Sequence, residues 1–504
     1  MRKLAIVLAL VLAAPAAADT IRASTHGGLL LGTPAADRLV GGPGNDRIQA
    51  AWGGVDRVTC GGGSDIVSAD RSDVVASDCA VVSRRLSVDL SSNPSSIHET
   101  GVEPEDASWG STVVAVYQEG RFAKGGASSI GFSVSDDAGR TWQRGTLPGV
   151  TVESMPAGPE SAASDPTVAY DAAHGVWLAG TLTLEPSGSR VMVAHSSDGL
   201  HWSLPVTAAS GPALDKDWLT CDNGATSPHR GRCYVLYTDD AKNITVSQST
   251  DDGGVTWSAP VRAADLLVGT QPAVLPDGTL VFVAGAFNGE EGLTGTIEGG
   301  LSIDGGATFT PIVVARFDSA PLDPMRAISL PSLAIDGSGT LYAVWGDCRF
   351  RPSCSANDLV LSTSTDGITW TSPARIPIAP TSSSLSAMIP GLGADTDATG
   401  QLGLVYAYFT PGSCARHACA LGIGFVRSAD GGKTWTASQQ LDAEPMQMDW
   451  LPESNGRMVG DYFATAFADG RAVPVFALAI APTASRLHEA IFAASLGAVG
   501  QKRR

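Results

Sequence analysis

The sequence predicts an all-β protein assembled from two sets of internal repeats, and three observations carry that prediction. Of 504 residues, 58 are Gly and 30 are Pro, a content that breaks long helices. A beat near nine residues runs from Gly32 to Ser77. A turn motif that closes on an aromatic residue then recurs six times between Ser135 and Trp435. Charge narrows the partners. Acidic residues outnumber basic ones 51 to 33, for a formal charge of −18, and the basic ones are scattered, which argues against nucleic acid or an anionic membrane as the main partner.

The first element is a leader. Arg2 and Lys3 precede an apolar run from Leu4 to Ala14, and Ala16-Ala17-Ala18 places small residues before Asp19. This is the pattern of a signal peptide spanning residues 1–18, so the mature chain is expected to be secreted and extracellular. No later stretch has the length of an apolar membrane span. Eight cysteines fall into four near neighbours: Cys60 with Cys79, Cys221 with Cys233, Cys348 with Cys354, and Cys414 with Cys419. In an oxidising compartment, an even count with local pairing reads as four loop staples. Zinc is the competing reading, but the spacings lack paired Cys-x-x-Cys knuckles.

After a linker at residues 19–31, the nine-residue beat occupies residues 32–80. Asp37, Asp46, Asp56, Asp65 and Asp73 mark it, each followed two residues later by Leu39, Ile48, Val58, Val67 or Val75. Gly41 to Gln49 matches the Gly-Gly-x-Gly-x-Asp-x-apolar-x unit of a parallel β-roll. Glycines permit the turn, the Asp offers a hard oxygen, and the apolar residue enters a thin core. The segment resembles the hemolysin-type calcium-binding repeats of secreted bacterial proteins. That resemblance implies calcium held by Asp46, Asp56 and Asp65; a metal-free cap is the alternative.

The second system is sharper. Ser135-Asp136-Asp137-Ala138-Gly139-Arg140-Thr141-Trp142 returns around Trp257, Phe309 and Trp435, with shortened copies ending at Trp202 and Trp370. The closing aromatics stand 60, 55, 52, 61 and 65 residues apart, a period that fits one four-stranded blade. Alternating apolar residues around each copy, as in Thr167 to Tyr170 and Leu341 to Trp345, support strands. These are Asp boxes. The pattern from about Leu86 to Ala494 resembles the sialidase family of six-bladed β-propellers, which implies a propeller at residues 86–494 followed by a tail at 495–504. Closure is expected from a terminal strand, either Leu86 to Leu90 or Leu487 to Ala493.

In such a ring, loops leading into the innermost strands form the mouth where ligands bind. Polar residues at these positions are Glu103, Glu105, Asp165, Asp215-Lys216-Asp217, Arg326 and Gly460-Asp461-Tyr462, and Asp347, Arg349 and Arg457 lie on loops nearby. The resemblance implies an exo-sialidase chemistry with Tyr462 as nucleophile, Glu453 as its partner, Asp165 as acid/base, and Arg121, Arg326 and Arg457 gripping a carboxylate. The one Arg-Ile-Pro, Arg375-Ile376-Pro377, follows the fifth box rather than preceding the first blade. The mouth is also richer in acids than in cations, which disfavours an anionic sugar. Two functions stay open: a glycoside hydrolase, and a non-catalytic propeller that binds glycan or protein outside the cell.

Overall fold

The computed structural model describes residues 18–289, 292–411, 419–483 and 486–497. The expected signal peptide up to Ala17, Cys414 and most of the 495–504 tail lie outside the described residues. The chain divides into two units, Met1–Val82 and Ser83–Arg504. Among the described residues, no helix is long and apolar enough to cross a membrane.

The first unit is a solenoid in which each nine-residue repeat gives one short strand and two repeats give a turn. Thr20–Arg22, Arg38–Val40, Arg57–Thr59 and Val74–Val75 stack in parallel on one side. Leu29–Leu31, Arg47–Gln49 and Ile66–Ala69 stack on the other. The apolar residue of each repeat points inward, so Leu30, Leu39, Ile48, Val58 and Val67 are buried around the Cys60–Cys79 disulfide. Residues 19–31, read from sequence as a linker, supply the first turn instead. The signal was present: Asp19 and Ile21 already keep the spacing of the beat.

The second unit is a propeller of seven blades, not six. Its innermost strands are Gly101–Trp109, Ala163–Asp171, Leu214–Cys221, Val268–Val274, Ser332–Ile335, Ser386–Ala394 and Ala464–Ala468. Each packs on the next, and the seventh packs on the first. Blades one to six take all four strands from consecutive sequence. The seventh uses Ala464–Ala468, Arg471–Ile480 and His488–Ala494, and its outer strand comes from the other end of the unit, where Ser83, Arg84 and Arg85 pair with Ala494, Ala493 and Phe492. This closure explains the miscount. A box caps the hairpin between the third and fourth strands of a blade. In the seventh blade those strands come from opposite ends of the chain, so there is no hairpin to carry one.

Innermost strands of neighbouring blades share no backbone ladder, so their amides facing the next blade need other acceptors. Side chains supply them at five junctions: Val168 N–H donates to Glu105 Oε2 (2.9 Å), Leu219 N–H to Thr167 Oγ1 (3.0 Å), Leu333 N–H to Gln271 Oε1 (2.8 Å), Leu392 N–H to Ser332 Oγ (3.0 Å) and Ala466 N–H to Asp106 Oδ2 (3.1 Å). Apolar layers fill the wedges between blades, for example Val114, Val116, Ile130 and Phe132 against Val168 and Trp177. The Cys221–Cys233 and Cys348–Cys354 disulfides are formed.

Each box is a self-contained turn. In the first, Asp137 Oδ1 accepts the N–H groups of Arg140 (3.0 Å) and Thr141 (2.8 Å), Gly139 donates to Ser135 Oγ (2.9 Å), and Trp142 Nε1 donates to Gly139 O (3.1 Å). Gly139 takes a φ of 78°, which only glycine adopts cheaply.

Candidate functional site at the mouth of the propeller

The start of most innermost strands carries a bulge. In five blades the ladder slips there, and the extra residue sits in the left-handed region: Glu103 (φ 52°), Asp165 (44°), Lys216 (50°), Gly269 (72°) and Ile389 (52°). For a non-glycine residue this conformation is strained, and such strain gathers at functional sites. Three of the five are charged, and they come from consecutive blades.

Their side chains meet. Lys216 Nζ lies 2.7 Å from Asp461 Oδ2, 3.0 Å from Asp165 Oδ1 and 3.9 Å from Glu103 Oε1. Asp461, at the start of the seventh blade's inner strand, also accepts from Arg326 Nη2 at 2.9 Å. Glu103 and Asp165 are almost fully buried, whereas 11% of the Lys216 side chain and 27% of Arg326 reach solvent. The mouth is therefore floored by acids and edged by cations.

Burial opposes the charge on Lys216, but Asp165, Asp461 and Glu103 outweigh it and keep the ammonium protonated, well above the ordinary lysine range. Burial also pushes Asp461 upward, and here Lys216 and Arg326 win, holding its carboxylate well below the usual range. Burial dominates at Glu103: it is pushed up to about 7, with Lys216 pulling the other way and Asp461 and Asp165 adding to the rise. Two carboxyl groups on one lysine thus differ in protonation near neutral pH.

Of the residues the sequence proposed, the structure gathers Arg121, Asp165, Arg326 and Tyr462 at this point, Arg121 Nη1 lying 4.0 Å from Glu103 Oε2. Tyr462 is buried, its ring edge-on to Trp218 at 4.9 Å, and its hydroxyl donates to Pro166 O at 3.4 Å. Burial, with Glu103, Asp165, Asp217 and Asp461 nearby, raises its phenol well above the ordinary value, the direction that weakens a nucleophile. Glu453 lies in an exposed turn and pairs with Arg457 at 3.5 Å. Arg121 and Arg326 border the same acids while Arg457 does not: Arg121 donates to Gln118 Oε1 (2.6 Å) and Ser454 Oγ (3.2 Å) beside Glu103, Arg326 to Asp461, and Arg457 to Leu451 O (2.8 Å). Arg375 pairs with Asp358 at 2.8 Å, and Arg349 with Asp347 at 2.7 Å.

Sequence reasoning placed Glu103, Lys216 and Asp461 among the mouth residues without giving them a role. It missed Gln118, whose amide donates to Ser164 Oγ (3.1 Å) and to Glu103, and Glu489, a buried carboxyl whose two oxygens have no hydrogen-bond partner. Glu489 is one acid in a strand, with no local pattern to single it out.

In the roll, the proposed calcium ligands do not converge on one point. Asp46 and Asp65 lie one turn apart on one edge, and Asp56 lies on the other. Each gives one carboxylate oxygen to an amide: Asp46 Oδ2 to Gly42 N–H (2.7 Å), Asp65 Oδ1 to Asp46 N–H (2.8 Å) and Asp56 Oδ1 to Asp37 N–H (2.7 Å). The second oxygen of each is buried without a hydrogen-bond partner. A buried, unpaired carboxylate oxygen calls for a proton or a cation; each of these acids offers one such oxygen, and among the described residues their ligand atoms do not cluster in a group of three or more.

No protein-family model matches the chain, and no curated protein matches it. Among solved structures, the phage phi92 endosialidase aligns over 84% of this chain and 70% of its own, at 10% identity and a TM-score of 0.45. A ulvan lyase aligns over 80% and 95%, at 13% identity and 0.40. A leech intramolecular trans-sialidase aligns over 76% and 65%, at 12% identity and 0.35. Likenesses of this grade carry neither a substrate nor a blade number to this chain.

Proposed function

We propose that this protein is a secreted, glycan-directed propeller whose mouth hydrolyses a neutral glycoside, with Glu103 as proton donor and Asp461 as the ionised carboxylate. The observation that supports this reading is the pair itself: two acids on one lysine, one driven up to about 7 and the other held low. Glycoside hydrolysis needs that division, a protonated acid for the leaving oxygen and a carboxylate for the sugar carbon or its attacking water. Arg326 and Lys216, the partly exposed cations, are placed to orient hydroxyl groups. A sialic acid carboxylate would need several guanidinium groups converging on it, whereas Arg121 is buried against Gln118 and Ser454 and Arg457 pairs with Glu453, which leaves Arg326 alone of the three at the solvent edge of the mouth.

The near-complete burial of Glu103 favours a second reading, in which the mouth binds sugar without turnover. A panel of fluorogenic glycosides separates the two. Release from a neutral glycoside, reduced about 100-fold or more in Asp461→Asn and absent for the sialoside, supports hydrolysis. No release, with glycan-array binding lost in Asp461→Asn, supports binding alone. Robust sialoside cleavage abolished by Tyr462→Phe overturns the proposal in favour of sialidase chemistry.

For the roll, we propose calcium between Asp46 and Asp65 on one edge and at Asp56 on the other. Calcium there would supply charge to oxygens the amides leave unpaired. Slower hydrogen exchange across residues 19–80 in about 1 mM calcium than in chelator supports this; equal rates leave the metal-free cap.

A further inference from the structure

We propose a second saccharide site, on the box-bearing end of the propeller, in the cleft between the first and second blades. It stands on observations independent of the mouth. The innermost strand of blade one begins at the mouth with Glu103 and ends at Trp109, about 20 Å away at the rise of an extended strand. Trp109 is 48% exposed, an uncommon state for so large an apolar surface. Its ring lies 5.0 Å from that of Tyr170 at an interplanar angle of 30°, and Tyr170 in turn lies 4.7 Å from the buried Trp177. Trp177 thus braces Tyr170 from within, and Tyr170 supports Trp109, so the exposed ring is backed by packed core.

This aromatic stack walls a cavity of about 250 Å3. The rim opposite is polar and comes from the two box turns. Asp198 is spent inside its own turn, where it accepts from Leu200 N–H, His201 N–H and the His201 ring. Asp136, Gln143 and Ser197 are exposed and line the same cavity. Of these, Asp136 has only a long contact with Thr112 Oγ1, at 3.4 Å. An apolar ring face on one side and hydroxyl, amide and carboxylate groups on the other match a pyranose, which has an apolar C–H face and a hydroxyl-bearing edge. Among the described residues, no other innermost strand closes on an aromatic residue: the others end at Asp171, Cys221, Val274, Ile335, Ala394 and Ala468. An aromatic residue at the end of the innermost strand is therefore not a general requirement of a blade.

The test is calorimetric titration of the full chain with cellohexaose, xylohexaose, mannohexaose and chitohexaose. At least one should bind. Trp109→Ala should weaken that binding about tenfold, the scale of one lost aromatic contact, and Trp109→Phe should largely restore it. Gln143→Ala, which touches no core, should weaken it as well. The proposal fails if none of the four oligosaccharides binds, if Trp109→Ala binds as tightly as the native chain, or if binding disappears only in Asp461→Asn, which would assign the sugar to the mouth. It fails equally if the cleft binds benzyltrimethylammonium in a Trp109-dependent manner and no oligosaccharide, because the carboxylate and rings would then form a cation site.

Discussion

The Asp boxes and the mouth use the same side chain in opposite ways. In a box, the carboxylate is satisfied within four residues by its own turn: Asp252 Oδ1 accepts from Val255 N–H (3.0 Å) and Thr256 N–H (2.9 Å). At the mouth, Asp461 is satisfied by Lys216 and Arg326, residues two other blades supply. The local arrangement repeats wherever its short motif repeats. The distant one exists once, and only when the ring has closed. An acid tied to fixed amides has nothing to give a ligand, whereas an acid tied to side chains at the solvent edge can exchange partners.

The comparison breaks first at Lys216. Lys216→Met removes the ammonium among three buried carboxyls, and the cost expected is about 3–5 kcal/mol, read as a fall in the denaturant midpoint. Adding Asp461→Asn should recover part of that loss; a double variant no better than the single one would show that the acids do not depend on the lysine.

Glu103 comes next, through pH. Its carboxyl is raised to about 7 in the fold from an ordinary 4.5, so the folded state keeps a proton the unfolded chain has released. That contribution is fully present below about 4.5 and fades as pH rises through about 7. Asp461, held low, works in reverse and loses its contribution only in strong acid. Denaturant midpoints should therefore decline between pH 5 and 8 more steeply in the native chain than in Glu103→Gln, and turnover of a neutral glycoside should fall above about pH 7. Equal slopes in both proteins would place the titration elsewhere.

A box variant should cost less and act locally. Asp252→Ala removes the acceptor of two amides and of the Thr256 hydroxyl at an exposed turn, for about 1 kcal/mol, with glycoside turnover unchanged. Loss of turnover would tie the boxes to the mouth and erase the distinction. The smallest effect belongs to Tyr462→Phe. Its one hydroxyl bond is long, so the loss should stay below about 1 kcal/mol and turnover should persist.

Asp19 shows how a pattern can be legible and still be passed over, because one repeat at the edge of an array lacks neighbours to confirm it. The seventh blade teaches the converse. Residues 436–494 span one more period, but the box that would announce it is forbidden by the closure itself. Arg457 and Glu453 suited a mouth by sequence position, yet both turn to each other, since an exposed pair four residues apart finds itself before any distant partner.

By itself the sequence determined what short-range chemistry enforces: the all-β class, the Asp-marked strands of the roll, six turns with their aromatic plugs, and the local pairings of Cys60 with Cys79, Cys221 with Cys233 and Cys348 with Cys354. Only the tertiary structure decided the ring of seven, the strand Ser83–Arg85 that closes it, and the meeting of Glu103, Asp165, Lys216, Arg326 and Asp461. Those outcomes join residues up to some four hundred positions apart. Between such residues the chain imposes no spacing, so their contact is fixed by how blades pack around a closed ring and leaves no periodicity in the sequence.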